Sequence, residues 1–117
     1  MRLHSEYQPG DVVSVKIPSG EYYVKRVIAT GGDTIDLHDG NVYINGELLE
    51  EDYIQGYTNE QSGSIKYPLT LKEGQVFIMG DNREGSVDSR TFGVVGERQI
   101  KGELLLHAGK FYIEKVK

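Results

Sequence analysis

Cysteine is missing from these 117 residues, so neither a disulfide nor thiolate chemistry is open to the chain. Tryptophan is also absent. The three histidines, His4, His38 and His107, are scattered without metal-ligand spacing, and no zinc site is expected. No apolar run approaches the ~18 residues of a transmembrane helix. The opening MRLHSEYQPGD is polar and lacks the apolar region of a signal peptide. The expectation is a soluble chain, with any membrane anchor lying outside it. Positive charge is scarce too. Lys and Arg number 13 against 18 Asp and Glu, a net charge of -5. No Lys/Arg cluster marks a nucleic-acid face, so a nucleic-acid partner is not expected.

Glycine and tyrosine are plentiful instead: 15 Gly, and 8 Tyr among the aromatics. Hydrophobic residues make up 38% and charged residues 26%, as in a globular domain able to bury a core. Helical periodicity is hard to find. Short apolar stretches recur between Gly, Asp and Asn, the pattern of an all-β domain. Residues 1–117 read as one domain.

DVVSVKI at 11–17 is broken by Pro18-Ser19-Gly20 and followed by EYYVKRVIAT at 21–30. This predicts a hairpin over 11–30. Asp39-Gly40 separates two alternating runs and predicts a second hairpin, with Ile35, Leu37, Val42 and Ile44 facing inward. Residues 46–64 are polar and irregular, and a long surface loop is expected there. SIKYPLTL at 64–71 alternates again, and Pro68 assigns it to a sheet edge. QVFIMG reads as a buried strand, and FGVV as a short apolar stretch. QIKGELLLH and KFYIEKV are expected to pair across Ala108-Gly109.

Two segments carry chemistry. In EYYVKRVIAT, alternation places Tyr23, Lys25 and Val27 on one face and Tyr22, Val24, Arg26 and Ile28 on the other. Both faces are largely apolar, so the strand is expected to be buried on both. Arg26 is readily explained by a bidentate carboxylate partner. Lys25 has two readings. It either snorkels to solvent, or it is desolvated and serves as a neutral general base beside a serine hydroxyl. The second segment is GDNREGSVDSR at 80–90. If its second half is extended, Ser86, Asp88 and Arg90 point the same way, with Asp88 and Arg90 as an ion pair. The alternative is a polar surface turn with local salt bridges.

In order along the chain, Gly10-Asp11-Val12-Val13, then YVKRVIATGGD at 23–33, then GDNREGSVDSRTFG at 80–93 resemble bacterial signal peptidase I. Weaker similarity runs through GNVYINGELL and KEGQVFIMG, and the resemblance spans roughly residues 9–107. It implies a flattened, mostly antiparallel β fold with hairpins and one long loop. It also implies a membrane-bound serine endopeptidase with a Ser/Lys dyad, needing no cofactor or metal. Its partners are the signal peptides of secreted preproteins, met on the extracytoplasmic face of the cell membrane. By this resemblance Lys25 is the general base, Ser86 orients it, and Asp88 and Arg90 form a supporting ion pair. Arg26, Asp81, Asn82 and Arg83 match positions with mostly structural roles. A direct carboxylate contact would raise the lysine's pKa, so Asp88 is expected to turn toward Arg90 and away from Lys25.

The departures matter as much. The family carries its nucleophile in a Ser-Met-x-Pro-Thr-like segment ahead of the GDVV-like strand. Only nine residues precede Gly10, and none matches; Ser5 lacks that context. The chain therefore reads as an N-terminally incomplete catalytic domain, inactive by itself. An apolar patch near Lys25 is expected to remain uncovered and to favour self-association. Thr30-Gly31 stands where the family often has Leu-Pro. A non-catalytic binding or assembly module of the same fold is the alternative. A self-cleaving repressor-type Ser/Lys protease fits less well, given DNREGSVDSR and the lack of a DNA-binding segment.

Overall fold

The structure is a computed structural model that describes residues 7–50, 58, 65–107 and 110–114. It is built from two antiparallel sheets. The larger sheet uses β1 (Val12–Lys16), β2 (Tyr22–Thr30), β7 (Gln75–Met79), β8 (Val95–Gly96), β9 (Ile100–His107) and β10 (Lys110–Glu114), in the order β10-β9-β1-β2-β7-β8. The smaller uses β3 (Thr34–His38), β4 (Asn41–Ile44), β5 (Glu47–Leu48) and β6 (Leu69–Thr70), in the order β5-β4-β3-β6. A short α-helix, α1 (Ser89–Phe92), follows β7, and a 3-10 turn over Glu97–Gln99 leads into β9. The all-β expectation holds, and so do the hairpins β1–β2, β3–β4 and β9–β10.

Turn chemistry explains the small sheet. Asp39 and Gly40 both adopt positive φ, 49° and 81°, as a two-residue hairpin turn demands. Asn45 and Gly46 repeat the device at 53° and 84°, and the chain returns as β5. The expected loop over 46–64 is therefore corrected at its start: the Asn-Gly pair makes a third strand there. Most of the remaining stretch, residues 51–57 and 59–64, lies outside the described residues. Pro68 precedes β6 at the sheet edge, with a cis Tyr67–Pro68 bond. Only Leu69–Thr70 pair with β3, so the strand expected over 64–71 shrinks to two residues.

Two hydrophobic clusters meet along β2 and β7. Val13, Val15, Val27, Val76, Ile78, Val95 and Ile100 fill one. Ile28, Ala29, Ile35, Leu37, Val42, Leu71, Phe77 and Met79 fill the other. Strand alternation sends successive β7 residues to opposite clusters. The β2–β7 register shifts between Val27 and Ala29, an irregularity that bends β2 between the clusters. The inward assignments of Ile35, Leu37 and Val42 are met, with Ile44 partly buried.

The two-sided burial expected for β2 holds only for its second half. Val27 to Thr30 are buried, whereas Tyr22 is 58% and Val24 is 51% exposed. The reason is geometric. The β7 ladder ends at Met79, opposite Arg26, so Tyr22–Lys25 are bonded to β1 but not to β7. That half-open strand is where Lys25 sits.

Candidate active site

Strand β2 carries Lys25 and Arg26 on opposite faces, as alternation requires. Arg26 makes a bidentate pair with Asp81, Nε to Oδ1 at 3.0 Å and Nη2 to Oδ2 at 2.9 Å. Its Nη1 donates to the Gly10 carbonyl at 2.9 Å. The GDVV-like start of β1, strand β2 and the 80–90 loop are thus fastened by one guanidinium.

On the other face, Lys25 Nζ lies 2.7 Å from Ser86 Oγ and 5.5 Å from the centroid of the Tyr23 ring. Ser86 Oγ lies 2.9 Å from Asp88 Oδ2. Asp88 is closed off by Arg90, whose Nε donates to Oδ1 at 2.9 Å and Nη2 to Oδ2 at 2.8 Å. Both side chains are fully buried. The Gly80 backbone N–H adds a further donor to Asp88 Oδ2 at 3.0 Å.

The Asp88–Arg90 ion pair forms, but the extended second half on which it was conditioned stops at Asp88. Ser86, Asp88 and Arg90 converge because the chain turns into α1. Asp88 is its N-cap, with Oδ1 accepting the Arg90 backbone N–H at 3.1 Å, and Gly93 at φ 91° ends it. An Asp before Ser-Arg-Thr-Phe-Gly is a helix-start signal, but four residues give too little periodicity to show it. Ser89 is also buried, and its Oγ accepts the Ile78 backbone N–H at 2.9 Å, pinning α1 to β7.

Asp88 does turn toward Arg90, and no Lys25–Asp88 ion pair forms among the described residues. The separation is one hydroxyl, however, not a full turning away. Burial would raise the Asp88 carboxyl; Arg90's hydrogen bonds and charge, with the N–H groups of Gly80 and Arg90, outweigh it and hold the pKa below its ordinary value. Asp88 is therefore an anion that only accepts, and Ser86 must donate to it. Ser86 then accepts an N–H from Lys25. Desolvation lowers the Lys25 pKa, opposed by the Asp88 charge and assisted by that of Arg90. A neutral amine held in this way spends an N–H on Ser86 and keeps its lone pair for another proton.

The other singled-out residues frame the loop. Asn82 is exposed and its carbonyl accepts the Gly85 N–H at 3.2 Å, closing the turn that aims Ser86. Arg83 is buried; its Nε donates to the Gly80 carbonyl at 2.8 Å and its Nη1 to Thr58 Oγ1 at 3.1 Å. Its carbonyl accepts Arg90 Nη2 at 2.9 Å. Two contributors were not foreseen. Gly80 opens the GDNREGSVDSR segment without a role of its own legible in the sequence, and Thr58 is part of a polar run. Nothing in local composition marks either one.

These features define the class as an antiparallel β domain with a largely buried lysine–serine–aspartate–arginine chain at the end of a half-open strand. The family model described as signal peptidase, peptidase S26, matches residues 2–108. The chain belongs to that family. A signal peptidase I of Bacillus licheniformis is 34% identical over 87% of this chain. A probable signal peptidase I-1 of Synechocystis is 35% identical over 84% of it. The chain spans 59% and 53% of the lengths of these two relatives. The crystal structure of a signal peptidase I from Enterococcus faecalis V583 superposes with a TM-score of 0.72 at 31% identity, covering 86% of this chain and 98% of that one.

Proposed function

We propose that this chain is the base-bearing part of a signal peptidase I, a serine endopeptidase that cleaves signal peptides from secreted preproteins. The carrying observation is the 2.7 Å contact of a desolvated Lys25 with a serine hydroxyl rather than a carboxylate. In this reading Lys25 Nζ takes the proton from an attacking serine as its Oγ bonds to the scissile carbonyl carbon. The resulting ammonium then protonates the departing amine, and the C–N bond breaks to leave an acyl-enzyme. Lys25 next takes a proton from water as its oxygen bonds to the acyl carbon. The ammonium then returns that proton to the serine Oγ as the ester C–O bond breaks, releasing the signal peptide with a carboxyl terminus and restoring the neutral amine. Ser86 orients the amine throughout.

The nucleophile is the part we assign elsewhere. Ser86 donates to Asp88, so it serves as orienter and not as attacking group. The serine belongs to a segment that docks beside Lys25, and the 117-residue chain alone is inactive in this reading. Exposed Val87 (52% exposed), next to Ser86 in the chain, supports such docking, while exposed Tyr22 and Val24, on the opposite Arg26 face of β2, offer apolar surface for self-association. The setting is the extracytoplasmic face of the cell membrane. Among the described residues no helix is long and apolar enough to cross a membrane.

The half-open β2 edge at Tyr22–Lys25 favours one other reading, a non-catalytic module that binds an extended chain by strand addition. A preprotein cleavage assay on the full-length protein separates the two. Turnover that disappears in Lys25→Ala supports the peptidase. Peptide binding without turnover in the serine-containing protein supports the module.

A further inference from the structure

Thr58 sits in a stretch whose composition suggests a surface loop, yet it is only 2% exposed. Its backbone N–H donates to the carbonyl of Gly40, in the β3–β4 turn, at 3.2 Å. Its Oγ1 accepts Arg83 Nη1 at 3.1 Å. One threonine therefore ties the small sheet to the loop that carries Ser86.

From Arg83 two routes lead to the same oxygen atom. Arg83 Nε holds the Gly80 carbonyl at 2.8 Å, and Gly80 N–H donates to Asp88 Oδ2 at 3.0 Å. The Arg83 carbonyl holds Arg90 Nη2 at 2.9 Å, and that same nitrogen donates to Asp88 Oδ2 at 2.8 Å. Asp88 Oδ2 is also the acceptor of the Ser86 hydroxyl that faces Lys25.

We propose that Thr58 is a positioning residue for Lys25, acting through Arg83 on the donors that neutralise Asp88. The physical logic has a definite sign. The charges acting on Lys25 are those of Asp88 and Arg90, with the Tyr23 ring alongside. A guanidinium as buried as Arg83's stays fixed only if its donors find acceptors. Without the Thr58 hydroxyl, Arg83 shifts, and Gly80 and Arg90 loosen their hold on Asp88. Less of the Asp88 charge is then cancelled, the ammonium form of Lys25 is favoured, and its pKa rises.

The inference concerns Lys25 itself and gains a catalytic meaning only from the proposed function. The test separates the two. Lys25 is titrated by NMR in isotope-labelled protein as wild type, Thr58→Val, Thr58→Ser and Val42→Ala. Thr58→Val keeps the shape and removes the hydroxyl; its Lys25 pKa is expected to rise by about half a unit, roughly a threefold loss of neutral amine at a fixed lower pH. Thr58→Ser is expected to restore the wild-type value. Val42→Ala loosens the small sheet's core and is expected to leave Lys25 unmoved. An unmoved Lys25 in folded Thr58→Val overturns the proposal. So does a serine variant that behaves like valine, or an equal rise in Val42→Ala. In the full-length enzyme, the acid limb of kcat/KM should move upward with the NMR value. An NMR shift without a moved limb keeps the Thr58 inference and instead counts against Lys25 as the base.

Discussion

Gly80 and Ser86 stand so close that Gly80 has no room for a side chain. A Cβ on Gly80 would lie 2.7 Å from Ser86 Cβ, in collision with its Oγ, and 3.3 Å from Lys25 Nζ. The lysine–serine contact occupies the space a side chain would take. Gly80→Ala is therefore expected to push Ser86 off the amine while β7 and its clusters stay intact. A displacement of about 1 Å costs on the order of 100-fold in rate when geometry carries the chemistry. Thermal melts beside cleavage kinetics of the full-length protein check this: a large activity loss with a small change in Tm is the expected result.

Lys25 costs stability where it is charged. Its folded pKa lies below the ordinary 10.5, so the unfolded chain binds more protons between the two values. Stability should rise with pH across that window. The penalty is full below the folded pKa and gone above the unfolded one. Lys25→Met is expected to flatten this rise and to increase stability near neutrality. In the full-length protein it should lower turnover by roughly 100- to 10,000-fold, the range of a lost general base. Urea midpoints measured from neutral to alkaline pH, beside activity, test both halves.

Asp88 acts in the opposite direction. Its folded pKa is below the usual carboxylate value, so its contribution is present above the unfolded pKa and lost as pH falls through the folded one. Asp88→Asn leaves the buried Arg90 without its counter-charge. The expected cost is about 3–5 kcal/mol near neutrality, the scale for breaking a buried pair. Equilibrium unfolding as a function of pH reads this directly. The gap between variant and wild type should narrow in acid, below the ordinary carboxylate range.

Gly46 provides the contrast. It holds φ 84° at the β4–β5 turn, with open space where a Cβ would point. Gly46→Ala meets conformational strain and no clash. A loss of about 1 kcal/mol is expected, with the Lys25 titration unchanged. Denaturation and the same NMR titration decide it; a shifted Lys25 would show that strain at the β4–β5 turn reaches the amine.

The hairpins were legible because their causes are local: alternation in β1 to β4 and Asp39-Gly40 between two strands. The pairing of Arg26 was legible because a guanidinium on a largely apolar strand needs an acid. The bend at α1 was not, since it rests on one cap and four residues. Nor was the exposure of Tyr22 and Val24, which depends on where β7 ends. Thr58 and Gly80 matter through what lies across space from them, and a threonine in a polar run looks the same whether or not an arginine finds it. The resemblance in residues 23–33 and 80–93 singled out Lys25 and Ser86, which the structure brings into contact, without indicating the turn that gathers the second segment.

Strand β7 has a consequence for how the molecule comes apart. Val76 and Ile78 belong to one hydrophobic cluster, Phe77 and Met79 to the other. A strand that is the common wall of two rooms cannot lose one without exposing the other. Its amides should exchange with solvent only when the whole domain opens, at a free energy equal to that of global unfolding. Gly80 is the next residue after that wall, so the contact of Lys25 with Ser86 is hinged to the slowest-opening part of the molecule, although one flank of β2 beside it lies open.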